Sequence, residues 1–266
     1  MFRDITIGQY YPANSLIHKL DSRVKIIATF IFIIDLFIAN NYIGYGITSI
    51  FLGIIIFLSK VPIKYMLKGL KAIFVIILIT GALNIFMTPG EHVLWSYKGI
   101  TITGEGLYTA GLMATRLIFL IIGSSILTLT TSPIQLTDGI ESILNPFKKI
   151  GIPAHEVAMM MTIALRFIPI LLEETDKIMK AQMARGADFE SGGIIKRAKS
   201  LIPLLVPLFI SAFRRAEELA MAMEARCYRG GENRTRMKQL VIENKDYIAM
   251  TIIAIFTLIM ILIRFI

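Results

Sequence analysis

Cysteine is almost missing from this 266-residue sequence. Cys227 is the only one, which excludes an intrachain disulfide framework and any cysteine-based zinc or iron–sulfur cage built by the chain alone. Charge is scarce too, at 18% of residues against roughly a quarter in soluble proteins. Histidine is limited to His18, His92 and His155, and none sits in an H-E-x-x-H helix, so a metalloprotease has no anchor. No G-x-x-x-x-G-K-[ST] run occurs, so the chain has no P-loop and any ATP must be bound by a partner. What is present instead is hydrophobic: 55% of residues, with a mean hydropathy of +0.69, gathered in long runs. That pattern describes an integral membrane protein. The net charge of +9 then speaks of topology and anionic lipid, not of nucleic acid.

Five runs are candidates to span a bilayer: Ile26 to Ala39, Ile43 to Leu58, Ala72 to Met87, Leu107 to Thr130 and Tyr247 to Ile263. The first two are short against the ~17–25 residues a crossing takes, so their flanks must contribute. Residues 1–25 carry charges and no apolar core, and are expected to form a cytoplasmic segment without a cleavable signal. Lys60, Lys64, Lys68 and Lys71 form a wholly basic loop, which the positive-inside rule places in the cytoplasm. Thr88 to Gly106, with Pro89, Gly90, Trp95 and Tyr97, suits an outer loop. Of the 28 basic and 19 acidic residues, 17 and 14 lie between Ile134 and Asp246, marking a cytoplasmic module. The expected organisation is a cytoplasmic segment at 1–25, four spans within 26–130, the module at 131–246 and a fifth span in 247–266. The N-terminus lies inside and the C-terminus outside.

Within the module, Ser132-Pro133 opens a short helix from Ile134 to Leu144 that Asn145-Pro146 ends. A long helix follows from Ala154 to about Ala184. It puts Leu171, Leu172, Ile178, Met179 and Met183 on one face and Glu173, Glu174, Asp176, Lys177 and Lys180 on the other, with Glu173/Lys177 and Asp176/Lys180 at ion-pair spacing. The same solvated face accounts for Glu173-Glu174 without a protease acid pair. A third helix, Ile194 to about Tyr228, turns Leu201, Leu204, Leu205, Leu208, Ala212, Ala216, Leu219, Ala220 and Met223 one way, and Arg214, Arg215, Glu217, Glu218 and Glu224 the other. Pro203 and Pro207 bend it near its start. The fold class is therefore an all-α integral membrane protein, about five transmembrane helices plus a three-helix cytoplasmic module with one short and two long amphipathic members.

Both long helices end in related words, Ala181-Gln182-Met183-Ala184-Arg185-Gly186 and Ala222-Met223-Glu224-Ala225-Arg226-Cys227. An arginine in the last turn offsets the helix dipole, and a glycine just after it caps the end. Equally, two guanidinium forks at corresponding helix ends suit carboxylates or carbonyls on a partner. In this membrane setting the chain resembles the T component, EcfT, of energy-coupling factor transporters. Leu20-Asp21-Ser22-Arg23-Val24-Lys25 is similar to the family's Asp-Pro-Arg-x-Lys approach to its first span. Thr131-Ser132-Pro133, Ala164-Leu165-Arg166-Phe167-Ile168-Pro169 and Ala184-Arg185-Gly186-Ala187-Asp188-Phe189 resemble its central signatures. Arg226-Cys227-Tyr228-Arg229-Gly230 resembles the second Ala-Arg-Gly signature, with Cys227 where the family has glycine, a residue that strains a left-handed cap. Asn233-Arg234-Thr235-Arg236 is similar to the tail of the version shared among several partners, the group II type.

The resemblance implies a non-catalytic, multi-pass subunit of a prokaryotic cell membrane, without cofactor or metal. It would transmit the motion of two ABC ATPase subunits, EcfA and EcfA′, to an S component that binds a vitamin or other micronutrient. The ATPase-coupling residues carried over are Ala184, Arg185, Gly186, Ala225, Arg226 and Cys227. Read from the residues, Met159, Met160, Met179, Met183, Met221 and Met223 either fill a helix core or, being unbranched and adaptable, offer an exchangeable S component a docking surface. The bilayer is a further partner; nucleic acid is not.

Asp35 and Arg116 each lie about ten residues, or about 15 Å, into a span. The expectation is that they pair, the other reading being that Arg116 snorkels to an interface. An alternative function is an integral membrane enzyme such as a lipid-head-group transferase, with Arg185 and Arg226 on phosphate; the spaced aspartates needed for magnesium are missing around the Ala-Arg words. A secondary transporter is disfavoured because no inverted repeat is apparent.

Overall fold

The computed structural model describes residues 10–90, 92–97, 100–151, 153–189, 191, 193–231 and 240–265. Nine helices are described: α1 (Ser22–Ile38), α2 (Tyr42–Ser59), α3 (Ile63–Met87), α4 (Gly104–Thr130), α5 (Pro133–Leu144), α6 (Ala154–Ala184), α7 (Ile194–Ser200), α8 (Ile202–Ala225) and α9 (Asn244–Arg264). A 3₁₀ turn, Asn145–Ile150, follows α5. The chain divides into two compact units, Gly8–Gly139 with Lys238–Ile266 and a second containing Ile140–Met237, the division falling inside α5.

The segment expected to be a plain outer loop contains strands β1 (Val93–Tyr97) and β2 (Ile100–Thr103), paired antiparallel with Trp95 opposite Ile102 and Tyr97 opposite Ile100. Val-Leu-Trp-Ser-Tyr and Ile-Thr-Ile-Thr are both rich in β-branched and aromatic residues. Thr103 then caps α4, its hydroxyl accepting from the Gly106 N–H at 3.1 Å.

Sequence sets three further helix starts in the same way. Asp21 caps α1 by accepting from the Arg23 N–H at 2.8 Å. Ser132 and Gln135 form a reciprocal box at α5: the Gln135 N–H donates to the Ser132 hydroxyl at 3.3 Å, and the Ser132 N–H donates to the Gln135 side chain at 3.2 Å. Glu243 and Asp246 make a second such box at α9.

In the first unit α1 packs on α4 and α9, and α3 runs along α4. Phe32, Leu36, Leu52, Ile126, Leu129, Phe256 and Met260 form its core, with the rings of Phe51 and Phe256 stacked at 4.2 Å. Gly123 is what lets α4 approach α1, because a Cβ there would stand 2.5 Å from the Phe32 ring.

Around this core a polar knot explains the Asp-x-Arg-x-Lys sequence. Asp21 accepts from Arg23 Nη2 at 2.8 Å and Nε at 3.1 Å, while its own N–H donates to Asp246 Oδ1 at 2.8 Å. Buried Lys25 donates to the carbonyls of His18 at 3.1 Å and Thr130 at 3.0 Å. His18 Nε2 lies 2.9 Å from the Tyr11 carbonyl oxygen, and the Tyr11 N–H donates to Leu129 O at 2.9 Å. Burial alone would raise the Asp21 carboxyl, but hydrogen bonds from the Arg23 side chain and N–H, with the charges of Arg23 and Lys25, hold it below its ordinary value.

Asp35 and Arg116 do not pair. Fully buried Asp35 accepts from the Thr257 hydroxyl at 2.8 Å. Arg116 instead donates to the Tyr45 hydroxyl at 2.9 Å and the Ala39 carbonyl at 3.1 Å, with its guanidinium 5.3 Å from the centre of the Phe37 ring. Neutral acceptors and a π face satisfy the cation, so no carboxylate is needed.

Among the described residues α2, α4, α6 and α9 are long and apolar enough to cross a membrane, and α3 makes a fifth if its two bent halves count as one span. The set differs from the five expected runs at two places. Helix α1, with 17 residues, about 25 Å, sits at the lower limit of a crossing and outside that set; α6, expected in the cytoplasmic module, has an apolar first half long enough to qualify. The third module helix is also two: α7 ends at Ser200 and α8 begins at Ile202 with Pro203 in its first turn. Proline lacks an N–H and its ring strikes the carbonyl four residues back, so the anticipated bend becomes a break.

Candidate functional site

The second unit carries the two related words at the ends of α6 and α8, and they close in the same way. At α6, Arg185 is the cap residue with φ −89° and ψ 6°, and Gly186 follows at φ +87°. The Gly186 N–H donates to Met183 O at 3.0 Å and the Ala187 N–H to Gln182 O at 3.0 Å. At α8, Arg226 caps with φ −92° and ψ 11°, and Cys227 follows at φ +53°. The Cys227 N–H donates to Glu224 O at 2.8 Å and the Tyr228 N–H to Met223 O at 3.0 Å. Both ends are therefore the same left-handed cap with two crossed backbone bonds. Cys227 adopts the conformation that glycine serves elsewhere, at a cost of about 1–2 kcal/mol in backbone strain.

Ala184, Arg185, Gly186, Ala225, Arg226 and Cys227 are all exposed. Since the carbonyls of Gln182 and Met183 at one end, and of Met223 and Glu224 at the other, are already bonded within the caps, neither guanidinium is required to form the cap. Each stands out at a terminus whose partial negative charge favours a cation.

The methionines divide. Met160, Met183 and Met221 are exposed, while Met159, Met179 and Met223 are half-buried. Packing of α6 against α8 turns Leu204, Leu208, Ala212, Leu219 and Met223 inward. The sequence pattern missed a second stripe on α8, where Ile202, Leu205, Val206, Phe209, Ile210 and Phe213 are 44–65% exposed. Their spacing of three and four marks one continuous helix face. Leu205, grouped by periodicity with the inward set, belongs to this outer stripe.

The charged face of α6 also differs from its pattern. Glu173/Lys177 and Asp176/Lys180 form no ion pairs among the described residues. Glu174 instead accepts from Arg215 Nη2 on α8 at 3.0 Å, so half-buried Arg215 ties the two helices together and does not face outward. Among the described residues no group of three or more His, Cys, Asp or Glu side chains is placed to hold a metal ion.

A family model described as "CbiQ: Cobalt transport protein" matches residues 13–237. The energy-coupling factor transporter transmembrane protein EcfT of Clostridium kluyveri is 64% identical over 250 residues, covering 94% of this chain and 93% of that one. The EcfT of Thermosediminibacter oceani is 60% identical, covering 93% of each chain, and that of Bacillus subtilis 49%, covering 92% of this chain and 93% of its own. A helical membrane fold with these relatives defines a transmembrane component of a transporter. The chain belongs to the CbiQ family and, within it, to the EcfT transmembrane proteins of energy-coupling factor transporters.

Proposed function

We propose that this chain is the coupling subunit of an importer, transmitting the ATP-driven motion of two ATPase subunits to a substrate-binding S component, and performing no chemistry itself. The observation that carries the reading is the pair of identically capped helix ends, each presenting an exposed arginine. Arg185 and Arg226, with the alanine before each and the Gly186 or Cys227 after it, seat in grooves on the two ATPases. The exposed stripe of α8 and the exposed methionines of α6 and α8 receive the S component, which supplies specificity for a vitamin or other micronutrient.

In this reading α1, α2, α3, α4 and α9 cross the membrane of a prokaryotic cell, with the N-terminus and the α5–α8 module cytoplasmic. Helix α6 lies at the interface and does not cross, because exposed Arg166 interrupts its apolar half and a cation at mid-bilayer costs about 2.5–3.5 kcal/mol. Affinity purification from native cells in mild detergent tests the assignment. Two ATPase chains and at least one small hydrophobic protein should remain bound; a solitary chain overturns it.

A further inference from the structure

The two arginine-bearing ends differ in what holds them. After the α8 cap, the Tyr228 hydroxyl lies 3.4 Å from Nε2 of His155 in the first turn of α6. Nδ1 of the same ring lies 3.0 Å from Oε1 of Glu141 on α5. The backbone then passes against the imidazole, since a Cβ built on Gly231 would collide with its ring atoms. One side chain thus touches α5, belongs to α6 and supports the segment that follows α8. The Glu141 carboxylate selects the Nδ1–H tautomer and leaves Nε2 to accept from the tyrosine hydroxyl. At the other end, Arg185, Gly186 and Ala187 make only their cap bonds, with no hydrogen bond to another helix among the described residues.

We infer that His155 is a positioning residue that ties the Arg226 end of α8 to α5 and the start of α6, a tether that Arg185, Gly186 and Ala187 lack among the described residues. The inference deepens the coupling reading and rests on it for its consequence: one arm moves rigidly with the root of the module, and the other pivots at its helix end. Glu141 from one stretch of sequence, and Tyr228 and Gly231 from another, converge on one ring with both nitrogens engaged, a geometry that restricts the segment in a way the local cap bonds do not.

Exposed Cys227 is the only cysteine of the chain and accepts a nitroxide at the end in question. In the full chain in detergent, His155→Ala and Tyr228→Phe should each make that label more mobile. His155→Gln, which keeps a donor and an acceptor, should restore part of the restriction. A label on Ala187→Cys in a Cys227→Ser background should report no change with the same variants. Unchanged spectra at Cys227 in both His155→Ala and Tyr228→Phe, or equal changes at both ends, would overturn the tether. Absence of ATPase chains from the purified wild-type complex would instead remove the coupling reading and leave the tether decided by the nitroxide alone.

Discussion

The Lys25 ammonium sits 3.0 Å from the carbonyl oxygen of Thr130, the last helical residue of α4. A cation at that terminus meets the negative end of the helix dipole, and Lys25 also holds the His18 carbonyl. Lys25→Met keeps the length of the side chain and deletes the donor. Each carbonyl left without a partner costs about 1–3 kcal/mol, so the melting temperature of the detergent-solubilised chain should fall by several degrees. An unchanged melting temperature would show the ammonium to be dispensable.

His18 makes the same knot sensitive to pH. Its pKa lies below the ordinary 6.5 because burial disfavours the imidazolium, an effect that the hydrogen bond to Tyr11 opposes and the charge of Lys25 reinforces. A group with a lowered folded pKa gives stability that is present above the unfolded value and lost as pH falls through the folded one. Thermal stability should therefore drop as pH is taken from 7.5 towards 5, and His18→Gln should flatten that drop. Parallel profiles for the two proteins would remove His18 from the account.

Charge reversal separates the arms. Arg185→Glu and Arg226→Glu should each lower retention of ATPase chains at least tenfold at one of the two contacts, while the subunit still inserts and keeps its melting temperature. Quantifying ATPase recovered per subunit checks this. Failure of both variants to insert would make these arginines structural.

The caps themselves make opposite predictions. Gly186→Ala forces a side chain into φ +87° and should destabilise the α6 end by about 1 kcal/mol. Cys227→Gly relieves strain at φ +53° and should stabilise the α8 end by a similar amount. Amide exchange over the last turns of α6 and α8 reads both, and shifts of the same sign would contradict the shared geometry.

A double-mutant cycle on Glu174 and Arg215 should give a coupling of about 0.5–1 kcal/mol, the range of a partly exposed pair. Additive losses would show that the 3.0 Å contact does not bind α6 to α8.

Hydrophobic runs, caps and prolines made most of the helices legible beforehand. Ala154–Ala184 begins and ends where the pattern placed it, and Pro133 starts α5 as a proline after a hydroxyl cap should. What escaped depended on distance in sequence. Nothing local says that Glu174 meets Arg215 while Glu173 and Lys177, four residues apart, form no pair among the described residues, nor that Arg116 finds Tyr45 and the Ala39 carbonyl. Periodicity showed that α8 has an apolar face, yet α8 has apolar residues on two sides, and only packing against α6 decides which stripe is covered. The two arginine words and their correspondence were visible from the start, but that Cys227 takes the left-handed conformation glycine takes at Gly186 lay in backbone torsions.

Because the bonds that close both caps are made by backbone groups, the side chains of residues 185 and 226 are not needed to end either helix. Drift at these two positions costs the fold no more than a helix-end charge interaction of about 0.3–1 kcal/mol, so an arginine kept at both through descent would record selection by a partner's surface. Compensating changes would then be sought in the partner's sequence and not elsewhere in this one.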